Sequence, residues 1–305
     1  MGGVFQSMGE AASHIETVTW VLIGGSAIIF GGVMVLLARA LRGPRSLANP
    51  RLWIGGAGVA FPLLVLATLF IWTAPLTPSW KPTPPPGALM VVVKAHMWWW
   101  EVRYRDPATG TDIVTANEIR IPVGRPVYLA LTSADVIHSF WVPQLAGKMD
   151  MLPGRMQHLQ INASRPGVWR GQCAEFCGEQ HARMALHVVG LEPRVFDAWL
   201  TAQAQPAKPP ASASAAQGRA AFLAHRCDAC HTVRGAGAGG RLGPDLTHVD
   251  SRLHLGAGTL ANGPGAGAHW LAHIQRVKQG ARMPSYEQMD AQTLHAISEW
   301  LESLQ

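Results

Sequence analysis

Two uncharged apolar blocks stand at the front of the chain. Residues 18–38, VTWVLIGGSAIIFGGVMVLLA, and residues 52–76, LWIGGAGVAFPLLVLATLFIWTAPL, are each long enough to cross the roughly 30 Å hydrocarbon layer as a helix. The pattern predicts transmembrane helices over about 17–40 and 52–75, a hairpin within residues 1–80. Pro62 inside the second block would break a soluble helix, whereas neighbouring helices can satisfy freed backbone groups in a membrane. A buried hairpin of a soluble domain is the plainer alternative. A cleaved signal is the competing reading of the first block, but acidic Glu10 and Glu16 stand where a basic leader would be. From residue 88 to 200 the pattern changes to β-favouring runs broken by Gly, Pro and Asn, among them LMVVVKAHMWWWEVRY, NEIRIPVGRPVYLALTS and MALHVVGLE. Short strands so spaced predict an antiparallel sandwich or barrel. Residues 201–217, TAQAQPAKPPASASAAQ, read as a linker with too little apolar bulk to pack, and residues 218–305 return to a helical pattern at both ends around a glycine-rich middle.

Charge refines this picture. Arg39, Arg42, Arg45 and Arg51 cluster between the apolar blocks, which keeps that loop cytoplasmic and turns both chain ends outward. The net charge of +6 is partly this loop, so it gives no reason to expect a nucleic-acid partner. The proline-rich stretch over residues 73–88 reads as a stiff lead-out from the membrane.

The 305 residues hold four cysteines, in two pairs, each beside a histidine. In GQCAEFCGEQHARM, Cys173, Cys177 and His181 recur at intervals of four, Met184 follows, and Glu175 lies between the thiols. Gly178 and the strand-like flanks favour a loop around a metal over a helix. His138, in DVIHSFWVP, is a second imidazole. Soft thiolate and thioether donors suit copper, zinc or iron–sulfur, and imidazole suits zinc, copper and iron. A disulfide between Cys173 and Cys177, or a zinc site of both cysteines and both histidines, remain open on residue chemistry.

HSFWVP followed by C-x-E-x-C-x3-H-x2-M resembles the CuA motif of cytochrome c oxidase subunit II. The resemblance covers residues 1 to about 200 and implies a cupredoxin-like barrel anchored by two helices. It also implies a dinuclear copper centre bridged by Cys173 and Cys177 and capped by His138 and His181. Met184 would be a weak ligand of one copper and the Glu175 carbonyl a ligand of the other, and the Glu175 side chain would reach a Mg or Mn ion shared with subunit I. Trp98, in KAHMWWWEVRY, matches the family's tryptophan where electrons enter. SLANPRLWIGG lacks the carboxylate that family members often carry at the mouth of a proton path.

The second pair, Cys227 and Cys230 followed by His231, forms the C-x-x-C-H haem attachment signature; a thioredoxin-like redox pair is the alternative. Met283, in QGARMPSY, is the best candidate for a sixth ligand, ahead of Met289 and of His248, His254 and His273. These segments resemble class I cytochromes c, with the Pro244 carbonyl in LGPDLTHV accepting the proximal imidazole's N–H. The insert HLGAGTLANGPGAGAHW has no counterpart in that resemblance.

The whole resembles subunit II of a caa-type oxidase: two transmembrane helices, a cupredoxin-like barrel over 88–200 and an all-α class I cytochrome c domain over 218–305. The resemblance implies a bacterial inner-membrane protein with both metal domains on the periplasmic side, partnered by subunit I, subunit III and a cytochrome c or other donor. An attached cytochrome on a linker feeds its acceptor at high effective concentration. The alternatives are electron input to a copper-containing nitric oxide reductase and a free-standing membrane-tethered carrier.

Overall fold

The computed structural model describes residues 5–43, 49–76, 84, 87–237 and 239–305. Arg45 and most of the proline-rich lead-out lie outside the described residues. The chain divides into two compact units, one of residues 11–82 and one of residues 1–10 and 83–305.

In the first unit, helix α1 runs over Glu10–Arg42. A wide π-helical segment over Arg51–Ala60 continues into α2, Phe61–Thr73. Helix α1 is longer than its apolar block alone predicts, whereas the second run covers about the same residues as its block. Pro62 is the second residue of α2, directly after the π-helical run, whose wider turns accommodate a residue with no N–H to donate. The apolar side chains face outward: Ile28 is 77% and Phe70 is 73% exposed. That exposure excludes a buried core hairpin and fits helices solvated by lipid.

The second unit opens with a sandwich of two five-stranded sheets. One has the order β3, β2, β1, β5, β8 and the other β4, β10, β9, β6, β7. The strands are β1 Leu89–His96, β2 Trp99–Arg105, β3 Asp112–Ala116, β4 Glu118–Pro122, β5 Val127–Ser133, β6 His138–Trp141, β7 Met149–Met151, β8 Gln157–Ile161, β9 Gly167–Cys173 and β10 Ala185–Leu191. Two pairings, β1 with β5 and β4 with β10, are parallel, a feature absent from the expected antiparallel barrel. They arise because the chain changes sheet between β3 and β4 and again between β4 and β5. Period-two alternation buries Val91, Val93 and Ala95 from β1, and Trp169 and Cys173 from β9. Helix α3, Pro193–Ala204, then packs Phe196 and Trp199 against Tyr104.

The cytochrome-like part holds α4 Ala213–Ala224, the two-residue strands β11 His254–Leu255 and β12 Leu260–Ala261, α5 Ala266–Val277 and α6 Ala291–Glu302. Its core gathers Phe222, Val233, Val249, Leu271, Ile297 and Trp300, with Phe222 and Trp300 meeting edge to face at 5.0 Å. Helices α4 and α6 approach so closely that a Cβ on Gly218 would collide with the Ala296 carbonyl.

The linker expected over 201–217 is shorter than its composition suggests. Residues 201–204 finish α3 and residues 213–217 begin α4, capped by Ser212. The segment between does not swing free. The Arg234 guanidinium donates to the carbonyls of Gln203 and Gln205, the Ala207 N–H to the Arg234 carbonyl, and His248 bonds the Gln205 carbonyl at 3.0 Å. The glycine-rich insert is also ordered, forming the β11–β12 hairpin against the sandwich. The Ala185 N–H donates to the Ala257 carbonyl at 2.9 Å, and the His187 and His254 rings stack at 4.3 Å. Nearby, Glu118 accepts the Leu253 N–H at 2.9 Å and Arg120 donates to the Ser251 carbonyl at 2.7 Å.

Candidate functional site

Three strands and one loop build the first site. Strand β9 ends at Cys173, whose alternation points it inward, and β10 begins after Met184. The Cys173 N–H donates to the Met184 carbonyl at 2.9 Å, so the intervening loop is closed at its base. Strand β6 lies beside β9 with Phe140 opposite Cys173, and the Ala174 N–H bonds the Ser139 carbonyl. His138 therefore arrives next to the loop with no exposed surface.

The donor atoms converge. The Sγ atoms of Cys173 and Cys177 stand 3.7 Å apart, far beyond the roughly 2.05 Å of a disulfide, and both thiols are free. His138 Nδ1 lies 3.8 Å from Cys173 Sγ, and His181 Nδ1 lies 3.7 Å from Cys177 Sγ. Met184 Sδ is 3.9 Å from Cys177 Sγ, and the Glu175 carbonyl oxygen is 3.2 Å from Cys173 Sγ. The donors of His138, Cys173 and Cys177 all lie within 4.8 Å of one another, a cluster to which His181 does not belong. Four donors at 2.0–2.3 Å around one tetrahedral zinc would all lie within about 4 Å of each other. A sulfur pair with one imidazole at each end, a thioether and a carbonyl instead fits two soft ions sharing the thiolates.

Without a metal the electrostatics split the two sulfurs into one thiolate and one thiol that donates to it. Hydrogen bonding from the Cys177 thiol outweighs burial and holds the Cys173 thiol far below its ordinary pKa, while Cys177 is pushed up. Burial opposes protonation of His138, but its bonds to Cys173 and Asp135 prevail and raise its pKa.

Asp135 carries a role that motif spacing did not reveal. Its carboxylate bonds His138 Nε2 at 2.8 Å and accepts the N–H groups of Met97 and Val136, each at 2.8 Å. One side chain thus orients a candidate ligand and anchors the turn preceding Trp98. An acidic residue three positions before the histidine was the available signal. The tryptophan run divides by strand geometry. Trp98 donates its indole N–H to the Cys177 carbonyl at 2.8 Å, Trp99 stacks on His96, and Trp100 enters the core. The Glu175 carboxylate lies 3.6 Å from Lys148 Nζ.

The second site gathers Cys227, Cys230 and His231 in one short turn. The His231 imidazole bonds the Pro244 carbonyl through Nδ1 at 2.7 Å, which leaves Nε2 for an iron. Burial lowers the His231 pKa despite that bond, which favours the neutral, ligating form. Gly243 lies flat against the ring, where a Cβ would stand 2.9 Å from Nδ1. Met283 and Met289 both pack on the core of this domain. The Met283 loop is the one tied down for display: Gln275 donates to the carbonyls of Ala281 and Met283, each at 2.7 Å. Burial and the two haem-motif thiols raise the Tyr286 pKa. Free thiols, a fixed imidazole and half-buried apolar walls fit a covalently held haem. His248 is tied to the carbonyls of Gln205 and Gln305, His254 stacks on His187, and His273 pairs with Glu287.

Comparison with known proteins adds two family matches. "Cytochrome C oxidase subunit II, periplasmic domain" matches residues 107–191, and "Cytochrome c" matches residues 215–305. Cytochrome c oxidase subunit 2 of Alkalihalophilus pseudofirmus is 32% identical over 289 residues, covering 92% of this chain and 82% of the relative. The Bacillus sp. PS3 counterpart is 30% identical, covering 72% of this chain and 63% of its own length. Among solved structures, the periplasmic domain of subunit II of cytochrome oxidase from Bradyrhizobium japonicum is similar at 28% identity. It covers 40% of this chain and 96% of that one, with a TM-score of 0.37.

Proposed function

Because this chain belongs to the cytochrome c oxidase subunit II family, we propose that it is the subunit where electrons enter a caa-type respiratory oxidase. One-electron chemistry is supplied, when bound, by haem c on Cys227 and Cys230 and a copper pair on Cys173 and Cys177, carrying electrons from an external donor toward subunit I.

The chain's own residues hold and tune these groups. His138, His181, Met184 and the Glu175 carbonyl would complete the donor set of the first site, and His231 and Met283 would hold the iron of the second. A thioether at that position would raise the haem's reduction potential, which favours electron uptake from the external donor. Trp98, bonded to the Cys177 carbonyl, would be the aromatic contact through which an electron approaches. A Mg or Mn ion at the Glu175 carboxylate, shared with subunit I, would have to displace Lys148. The two outward-facing apolar helices support membrane anchoring, with the arginine loop cytoplasmic and both metal domains periplasmic. Residues 1–80, 88–200 and 218–305 serve as anchor, copper domain and cytochrome domain.

The single observation that carries this reading is the sulfur pair with an imidazole at each end. Metal analysis and visible to near-infrared spectra of the complex purified in mild detergent test it. The expected result is two coppers and one haem c per chain, a mixed-valence near-infrared band, and oxygen uptake in the presence of a co-purified subunit I. One zinc in place of two coppers, with no such band, refutes it.

A further inference from the structure

Lys278 occupies an unusual position for a lysine. It is 4% exposed, and its ammonium donates to the carbonyl of Arg183 at 3.0 Å and that of Gly256 at 2.8 Å. Burial lowers its pKa to about 7, with Cys177 opposing and Arg183 assisting, and no carboxylate among the described residues enters that balance. A buried cation with no carboxylate partner, opposed only by the Cys177 sulfur, is expensive to keep, and an apolar side chain would fill the same space at less cost. What the ammonium gains is a junction of three segments. Arg183 lies between His181 and Met184 in the ligand loop of the first site. Gly256 belongs to the β11–β12 hairpin. Lys278 itself stands five residues before Met283.

Other bonds reinforce the junction. The Arg183 guanidinium donates to the Val277 carbonyl at 2.7 Å, Thr259 Oγ1 reaches the Arg183 carbonyl at 3.4 Å, and the Ala185 N–H is bonded to Ala257. We infer that Lys278, with the β11–β12 hairpin, is the positioning device that clamps the Met283 loop onto the copper-ligand loop and so sets the rate of internal electron transfer. This rests on the reading above that both sites are redox stations. Electronic coupling falls steeply with the gap between centres, so a clamped pose fixes the rate. A swinging domain would make the rate depend on re-encounter. Buried bonds to carbonyls are screened little by salt, unlike a dock made of exposed ion pairs.

The test injects an electron photochemically into haem c of the complete oxidase and follows its re-oxidation. In the unmodified complex the rate should not change with solvent viscosity or salt. Lys278→Met should slow it at least tenfold and make it viscosity-dependent, with haem c and copper spectra and the haem c potential unchanged, a pattern that mere loss of stability would not produce. Hydrogen exchange at the Ala185 amide should be protected in the unmodified chain and fast in Lys278→Met, whatever the metal content. An unaltered rate in the variant, a viscosity-limited rate in the unmodified complex, or unaltered protection at Ala185 overturns the inference. Absence of the near-infrared copper band, with Ala185 protection lost in the variant as expected, would strike the functional reading and leave the clamp standing. If Lys278→Met does not take up haem, Arg183→Ala, whose side chain is exposed, should show the same changes at smaller size.

Discussion

Replacing Asp135 by alanine should loosen the copper site without touching a ligand. The carboxylate makes three bonds of 2.8 Å, to His138 Nε2 and to the amides of Met97 and Val136. Groups that orient metal-bound histidines typically contribute 10–100-fold in affinity, or about 1.4–2.7 kcal/mol at 1.36 kcal/mol per decade. Each amide bond to a charged acceptor adds roughly 1.5–3 kcal/mol of fold stability. Water can reach the site, since the Asp135 side chain is 17% exposed, so the net stability loss should be about 3 kcal/mol. Copper titration of the metal-free protein against a competing chelator, followed by the near-infrared band, measures the first figure, and thermal melting the second. Asp135→Asn keeps a neutral acceptor and should fall between the two. Copper affinity of Asp135→Ala equal to that of the unmodified protein would refute the argument that this carboxylate orients His138.

Other substitutions and a pH change probe the remaining contacts. Gly218→Val should cost at least about 3 kcal/mol and prevent stable haem attachment, because α4 cannot withdraw from α6; haem staining after denaturing electrophoresis checks it. Met283→His should lower the haem c potential by on the order of 0.1 V or more, within the span axial ligands command, whereas Met289→Leu should leave it unchanged in a redox titration. Burial, then the neighbouring His254, lower the His187 pKa from 6.5 to about 4, with Glu118 opposing and Arg170 assisting. The unfolded chain therefore binds the extra proton first as pH falls, so this stabilisation is full above about pH 6.5 and is lost toward pH 4. Up to about 3 kcal/mol should disappear across that window, read as a pH-dependent melting temperature that flattens in His187→Phe.

Local chemistry made much of this molecule legible. Cys173, Cys177, His181 and Met184 share one loop, so their spacing was visible, and the C-x-x-C-H turn is continuous in sequence. His138 stood out through the aromatic residues that follow it. Contacts between distant segments stayed hidden. Residues 205–212 look like a free tether because the groups that bind them, Arg234 and His248, lie far along the chain and carry no pattern of their own. The glycine-rich insert has no apolar periodicity, since it is held through backbone groups and one stacked histidine on the sandwich. Lys278 resembled any surface lysine, and only the fold reveals the two carbonyls around it. Helix α3 continued a region read as strands because its short apolar face, Phe196 and Leu200, is too small to set a period.

The grip of Glu118 and Arg120 on residues 251–253 bears on how such fusions can evolve. Exchanging the haem-bearing half for an unrelated carrier would strip a nearly buried carboxylate and a guanidinium of backbone partners and uncover the His187 ring. The two halves are therefore not interchangeable cassettes. A graft that ignored this seam would inherit an unsatisfied polar edge before it ever met an electron.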